Sequence, residues 1–220
     1  MAKRKVVFFV PCNAINMAVT GFFEAENRLD EMGCCAFDFQ PGRDINKMPV
    51  QNDYGVWKNV HKYLAPLKTS YEKAVILLDA QFPGSPGADI IKQDITENML
   101  ASGWQQEDFT IGIFDPELEA LLWQANIDLL ADIIKFQTQQ IGLSQWLIDE
   151  GWLQEGVIVP EKPKEALEAA IKLNLAGKNI RHSVVCKQFA QHSKLEDCID
   201  LGFKVLVQQF QSWFPISKHL

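Results

Sequence analysis

Long apolar runs are missing from this 220-residue chain. No window approaches the roughly 20 apolar residues that a helix needs to span a bilayer, so no membrane association through a spanning helix is expected. The basic start, Met1 to Lys5, is followed by only VVFFV before Pro11. That run is too short for the apolar region of a signal peptide, and no small-residue cleavage site follows. Positive charge is also scarce: 21 Lys and Arg against 28 Asp and Glu give a net charge of −7 and a pI near 5.1. Duplex binding normally rests on clustered cations, so contact with nucleic acid is expected only indirectly or through a partner. The five cysteines (Cys12, Cys34, Cys35, Cys186 and Cys198) form no CxxC and are not matched here with a nearby histidine. Their odd number suits reduced thiols in a cytoplasm.

Several nucleotide and hydrolase signatures are absent as well. The loop AQFPGSPGAD lacks the GxxxxGK[ST] order and has no lysine for a β- or γ-phosphate, which removes the P-loop reading. No GxGxxG follows the first apolar run, and no GxSxG elbow occurs. Histidines His61, His182, His192 and His219 show neither HxxxH nor HExxH spacing and are read as surface or packed residues. The six tryptophans lie beside apolar helix positions and read as core.

What is present is alternation. Apolar residues make up 47% of the chain and charged residues 22%, enough to bury a sizeable core. Residues 5–10 form a continuous apolar run, as a parallel strand covered on both faces requires. Ile15, Ala18, Val19, Phe22, Phe23 and Leu29 then recur near helical spacing up to Gly33. Residues 36–39 read as a second strand, 53–64 as a helix, 74–78 as the clearest strand, 88–101 as a helix and 109–114 as a further strand. Such βαβα alternation predicts an α/β fold with a mainly parallel sheet flanked by helices. From about residue 125 the pattern is helical. Asn126, Ser144 and a Ser193–Glu196 capping box serve as starts, Pro163 as a first helical residue, and Pro215 as a stop. The organisation expected is an α/β domain over 1–124 and a helical extension over 125–220, packed on it or continuous with it.

Ligands of parallel α/β sheets bind at the carboxyl ends of strands. Asp79 stands at one such end, and FTIGIFDPELEALLW runs another strand directly into an acidic helix start. Asp115 is expected to cap that helix, Pro116 to take its first position, and Glu117 and Glu119 to complement its dipole. The same four carboxylates, Asp79, Asp115, Glu117 and Glu119, are the candidate catalytic set. Oxygen ligands of this kind suit Mg²⁺ or Mn²⁺. Glu117 and Glu119 point about 200° apart on a helix, whereas Asp115 and Glu119 are four apart. The metal candidates are therefore Asp79, Asp115 and Glu119. Plain helix capping accounts for the residues at 115–119 equally well.

DPELEALLW, KPKEALEAAI and HSVVCKQFAQHSKLEDCIDLGFKVLVQQFQSWFP, with an early helix carrying Met17, Gly21, Phe22 and Phe23, resemble a Toprim-like family of bacterial defence proteins. That family includes the small component of the methylation-associated anti-phage defence system. The resemblance covers most of the chain and implies a Toprim/Rossmann-like sheet and Mg²⁺ held by a glutamate after the first strand and a D-x-D pair after a later one. Asn13 stands where the first acid is expected, and Asp79 is followed by Ala80 and Gln81. Neither carries the charge that holds a dication. The resemblance thus implies a non-catalytic or conditionally active subunit of an anti-phage complex, with ATPase, methyltransferase or nuclease subunits as partners. A metal-dependent nuclease or phosphoesterase using the strand-end carboxylates is the alternative, and a small-ligand-binding α/β domain a third reading.

Overall fold

Four parallel strands, β1 (Arg4–Val10), β2 (Ile45–Lys47), β3 (Tyr71–Asp79) and β4 (Phe109–Phe114), form one sheet in the order β2-β1-β3-β4. The computed structural model of the protein describes residues 2–136, 141–173 and 180–216. The central strands are apolar without interruption from Val6 to Val10 in β1 and from Ala74 to Leu78 in β3, where both their faces are covered. Val6, Phe8, Val75 and Leu77 face one core; Val7, Phe9, Ala74, Ile76 and Leu78 face the other. The α/β class expected from the alternation is the one observed.

One face is covered by α4 (Asp53–Leu64) and α5 (Ala88–Ala101), through Val56, Val60 and Leu64 and through Ile91, Ile95 and Met99. The other is covered by α1 (Asn13–Glu24) together with helices from the second half of the chain. These are α6 (Leu118–Ala125), α7 (Ile127–Ile134), α8 (Leu143–Asp149), α9 (Pro163–Lys172), α10 (His182–His192) and α11 (Leu201–Trp213). Two short helices, α2 (Arg28–Glu31) and α3 (Pro41–Asp44), lie between α1 and β2. Among the described residues no helix is long and apolar enough to cross a membrane.

Three contacts hold the second half in place. Helix α10 crosses α1 at Gly21, where an added Cβ would lie 2.0 Å from the carbonyl oxygen of Lys187, so the backbones approach only because the residue is glycine. Helix α11 lies on β4. Its far end returns to the first half: Cys35 donates its N–H to the Phe214 carbonyl at 2.8 Å, and Gln211 donates to the Met32 carbonyl at 2.8 Å. Phe8, Phe23, Phe37, Phe39, Phe210 and Phe214 form a ring cluster there, with Phe23–Phe39 and Phe37–Phe214 centroids 4.4 and 4.6 Å apart.

The structure corrects four local readings. Residues 36–39 are not a strand; Phe37 and Phe39 are drawn into the ring cluster, and β2 pairs with β1 eight residues or so later, after α3. Ser144 does not cap α8, which begins one residue earlier behind Gly142. Ser193 closes α10 by donating its N–H to Phe189, Leu195–Asp197 is a single 3₁₀ turn, and Asp200 caps α11 through the Phe203 N–H at 2.7 Å. Asp115 and Pro116 precede α6, whose cap position is Glu117. Their stretch is held as an extension of the sheet: Ala80 and Gln81 donate to the carbonyls of Phe114 and Pro116 at 2.7 and 2.9 Å. Asn126 does cap α7, accepting the Leu129 N–H at 2.9 Å.

Candidate functional site

Asp79 is the hinge of the site. Its own N–H donates to Oδ1 of Asp53, the first residue of α4, at 2.9 Å. Its Oδ1 accepts the N–H of Leu118, the first residue of α6, also at 2.9 Å, so the strand end is locked between two helix N-termini. Asn52 caps α4 through the Gly55 N–H at 2.7 Å, which places Asp53 in the first turn. Glu117 accepts the backbone N–H of Lys164 at 2.8 Å, tying α6 to the start of α9. Glu119, buried at 2% exposure, turns away from solvent and meets Nε2 of His182 on α10 at 2.7 Å. One turn on, the fully buried Cys186 places Sγ 3.8 Å from the same nitrogen.

This packing concentrates negative charge. The Asp79 carboxyl is pushed well above its ordinary range, first by burial, then by Asp53, Glu119 and Glu117, against the opposing Leu118 N–H. Asp53 is raised by burial, with Glu119 adding to it and the Asp79 N–H and Lys164 opposing. Glu117 is raised by burial despite the Lys164 N–H. Burial alone would lower the Lys164 ammonium, but Glu119, Glu117, Glu168 and Asp79 outweigh it and hold the ammonium above its usual range. The Cys12 and Cys186 thiols are both raised, chiefly by burial; Glu119, Cys12 and Asp79 add to the effect at Cys186.

Asp79, Glu117 and Glu119 of the expected set therefore converge, while Asp115 is exposed and is not among the charges that shift Asp79. Because Asp115 lies outside α6, its four-residue spacing to Glu119 is not a helical one. Glu117 is also outside the helix, so the 200° separation from Glu119 does not apply. Sequence reasoning did not reach Asp53, Lys164, His182 or Cys186. The reading that no cysteine matches a nearby histidine is corrected by HSVVC, where His182 and Cys186 stand four apart on one helical face. His219 lies outside the described residues.

Chemically, Asp53, Asp79, Glu117 and Glu119 are hard oxygen donors, and the hydrogen bonds of Asp53 and Asp79 use one carboxylate oxygen each among the described residues. Donors of that type suit Mg²⁺ or Mn²⁺. Among the described residues, however, the group that brings three ligand atoms within 4.8 Å of one another is Glu119, His182 and Cys186, so the carboxylates would have to draw together to share an ion. Asn13 is exposed at the start of α1 and Gln81 is exposed in the loop after β3.

No family model and no curated protein matches the sequence. Among solved structures the chain is similar to the C-terminal region of the Burkholderia pseudomallei OLD protein, with a TM-score of 0.56 and 14% identity. The match covers 96% of this chain and 98% of that one, and at this identity it is a likeness of fold: a parallel sheet with helices on both faces, carried through the helical second half.

Proposed function

We propose that this protein is a Toprim-like, nuclease-related component of bacterial anti-phage defence, conditionally active within a protein complex. The observation that carries the reading is the gathering of Asp53, Glu117 and Glu119 around the strand-end Asp79, whose carboxyl is raised first by burial and then by these neighbouring carboxylates. The fold likeness to the OLD protein region and the resemblance to Toprim-like defence proteins support it. Mg²⁺ or Mn²⁺ would be held by Asp79 and Asp53 once they draw together around it, with Glu119 joining only by leaving His182. These acids would make good those missing at Asn13, Ala80 and Gln81. When bound, the cation neutralises phosphoryl charge and lowers the pKa of a coordinated water. The Leu118 N–H keeps Asp79 aimed, and Lys164 supplies the nearby positive charge.

The net charge of −7 leaves the nucleic-acid surface to a partner, which is why activity is assigned to the complex, with ATPase, methyltransferase or nuclease subunits as the partner classes. Calorimetry with Mn²⁺ tests the site. The expectation is binding near 10 µM (about −7 kcal/mol) that Asp79→Asn removes while the fold is kept. Absence of binding, or equal binding by the variant, overturns it. Tandem-affinity purification from the native host is expected to recover other defence-locus proteins, and recovery of none speaks against a complex. Mn²⁺-dependent cleavage by the isolated chain would instead favour an independent nuclease or phosphoesterase, a reading to which the additional carboxylate Asp53 also lends support.

A further inference from the structure

Beside the carboxylate cleft lies a donor group of different character. Glu119 Oε1, His182 Nε2 and Cys186 Sγ all lie within 4.8 Å of one another, on the two helices α6 and α10. Glu119 and Cys186 are buried, and His182 is one-fifth exposed. A thiol, an imidazole and a carboxylate invite comparison with a nucleophilic triad, but the geometry excludes it. In a triad the nucleophile and the carboxylate address opposite ring nitrogens. Here both face the same Nε2, at 3.8 and 2.7 Å. Burial also holds the Cys186 thiol well above its ordinary range, away from a free nucleophilic thiolate. Three different donors aimed at one point describe coordination rather than acyl transfer.

We propose that Glu119, His182 and Cys186 form a zinc-type site, with Zn²⁺ or a similar borderline-soft dication bridging α6 and α10. Tetrahedral zinc with ordinary bond lengths sets its ligand atoms roughly 3.3–3.8 Å apart. The Sγ–Nε2 separation of 3.8 Å already meets this. The Oε1–Nε2 pair must open by about 0.6 Å as its hydrogen bond gives way to two metal bonds. On binding, the Cys186 thiol proton leaves to solvent, and the proton held between Oε1 and Nε2 moves to Nδ1, or to solvent where Nδ1 already carries one. The site thus takes up the metal as thiolate, neutral imidazole and carboxylate. A sulfur and an imidazole select against Mg²⁺, so this site and the hard-oxygen cleft next to it differ in metal preference while sharing Glu119. The inference does not depend on the function proposed above.

Cobalt titration of the chelator-treated full chain tests it, since Co²⁺ reports its own ligands. One equivalent is expected to give the near-ultraviolet sulfur-to-cobalt charge-transfer band and the visible bands of a tetrahedral centre, displaced by Zn²⁺ but not by Mg²⁺. Cys186→Ser should lose the charge-transfer band. His182→Ala, at a part-exposed position that folding tolerates more readily, should weaken cobalt binding by roughly tenfold or more. Asp79→Asn should keep the band, which separates this site from the carboxylate cleft. A wild-type protein without the band, a band that survives Cys186→Ser, or unchanged affinity in His182→Ala overturns the proposal.

Discussion

Asp79 is held in the fold against its own ionisation, and that has a measurable signature. Its folded carboxyl is raised by burial and by Asp53, Glu119 and Glu117, and those of Asp53 and Glu117 are raised as well, chiefly by burial. A carboxyl raised in the folded state contributes stability that is complete below the ordinary carboxylate range and is lost as pH climbs through the raised value. Cation-free protein should therefore melt at higher temperature as pH falls from neutral toward that range, and Asp79→Asn should flatten the slope and raise the melting temperature at neutral pH. Thermal melts in chelator between about pH 5 and 8 decide this; parallel slopes would mean that Asp79 ionises without cost. Asp79 and Glu119 were legible in the sequence because each follows a strong strand within a few residues. Asp53, Lys164 and His182 were not, since only the packing of α4, α9 and α10 against the strand ends brings them near. The four-residue spacing of His182 and Cys186 is a local signal of a shared helical face, but nothing in it names Glu119 as the third member.

Gly21 decides how near α10 may come to α1. Its missing Cβ is replaced by the carbonyl oxygen of Lys187, and backbone, unlike a side-chain tip, has no rotamer into which to retreat. Gly21→Ala should cost roughly 3 kcal/mol, the upper part of the overpacking range, read as a lowered urea midpoint at unchanged slope. The same substitution should loosen cobalt binding, because it displaces the helix that carries His182 and Cys186. Elements whose identity rests on one continuous pattern were readable from sequence: β1, β3 and β4 from their apolar runs, α4 and α5 from their periodicity and caps. Elements that depend on competition between distant groups were not. Phe37 and Phe39 alternate as a strand would, yet the ring cluster with Phe23, Phe210 and Phe214 outbids pairing with β1. The S-x-x-E pattern at Ser193 is chemically sound for a helix start, but Ser193 is already engaged in ending α10.

The two cores on opposite faces of the sheet are assembled on different terms. The one under α4 and α5 is built from residues between Val7 and Ile111, close in sequence. The other joins Val6 and Phe8 to Phe210 and Phe214. Phe210 stacks on Phe8 and also touches Phe23, Phe37, Trp213 and Phe214, so Phe210→Ala should cost about 3–5 kcal/mol by equilibrium denaturation. Contacts of that separation are slow to form, because a long loop must close before they repay it. The return of the α11 end to Cys35 therefore also sets a schedule for biosynthesis. Phe8, Phe23, Phe37 and Phe39 leave the ribosome early, with α4, α5 and their sheet face able to form behind them. Their own cover, Phe210 and Phe214, is translated well after them. In the interval between them the nascent chain carries one finished face and one greasy, waiting one, a surface suited to a chaperone until α11 emerges to displace it.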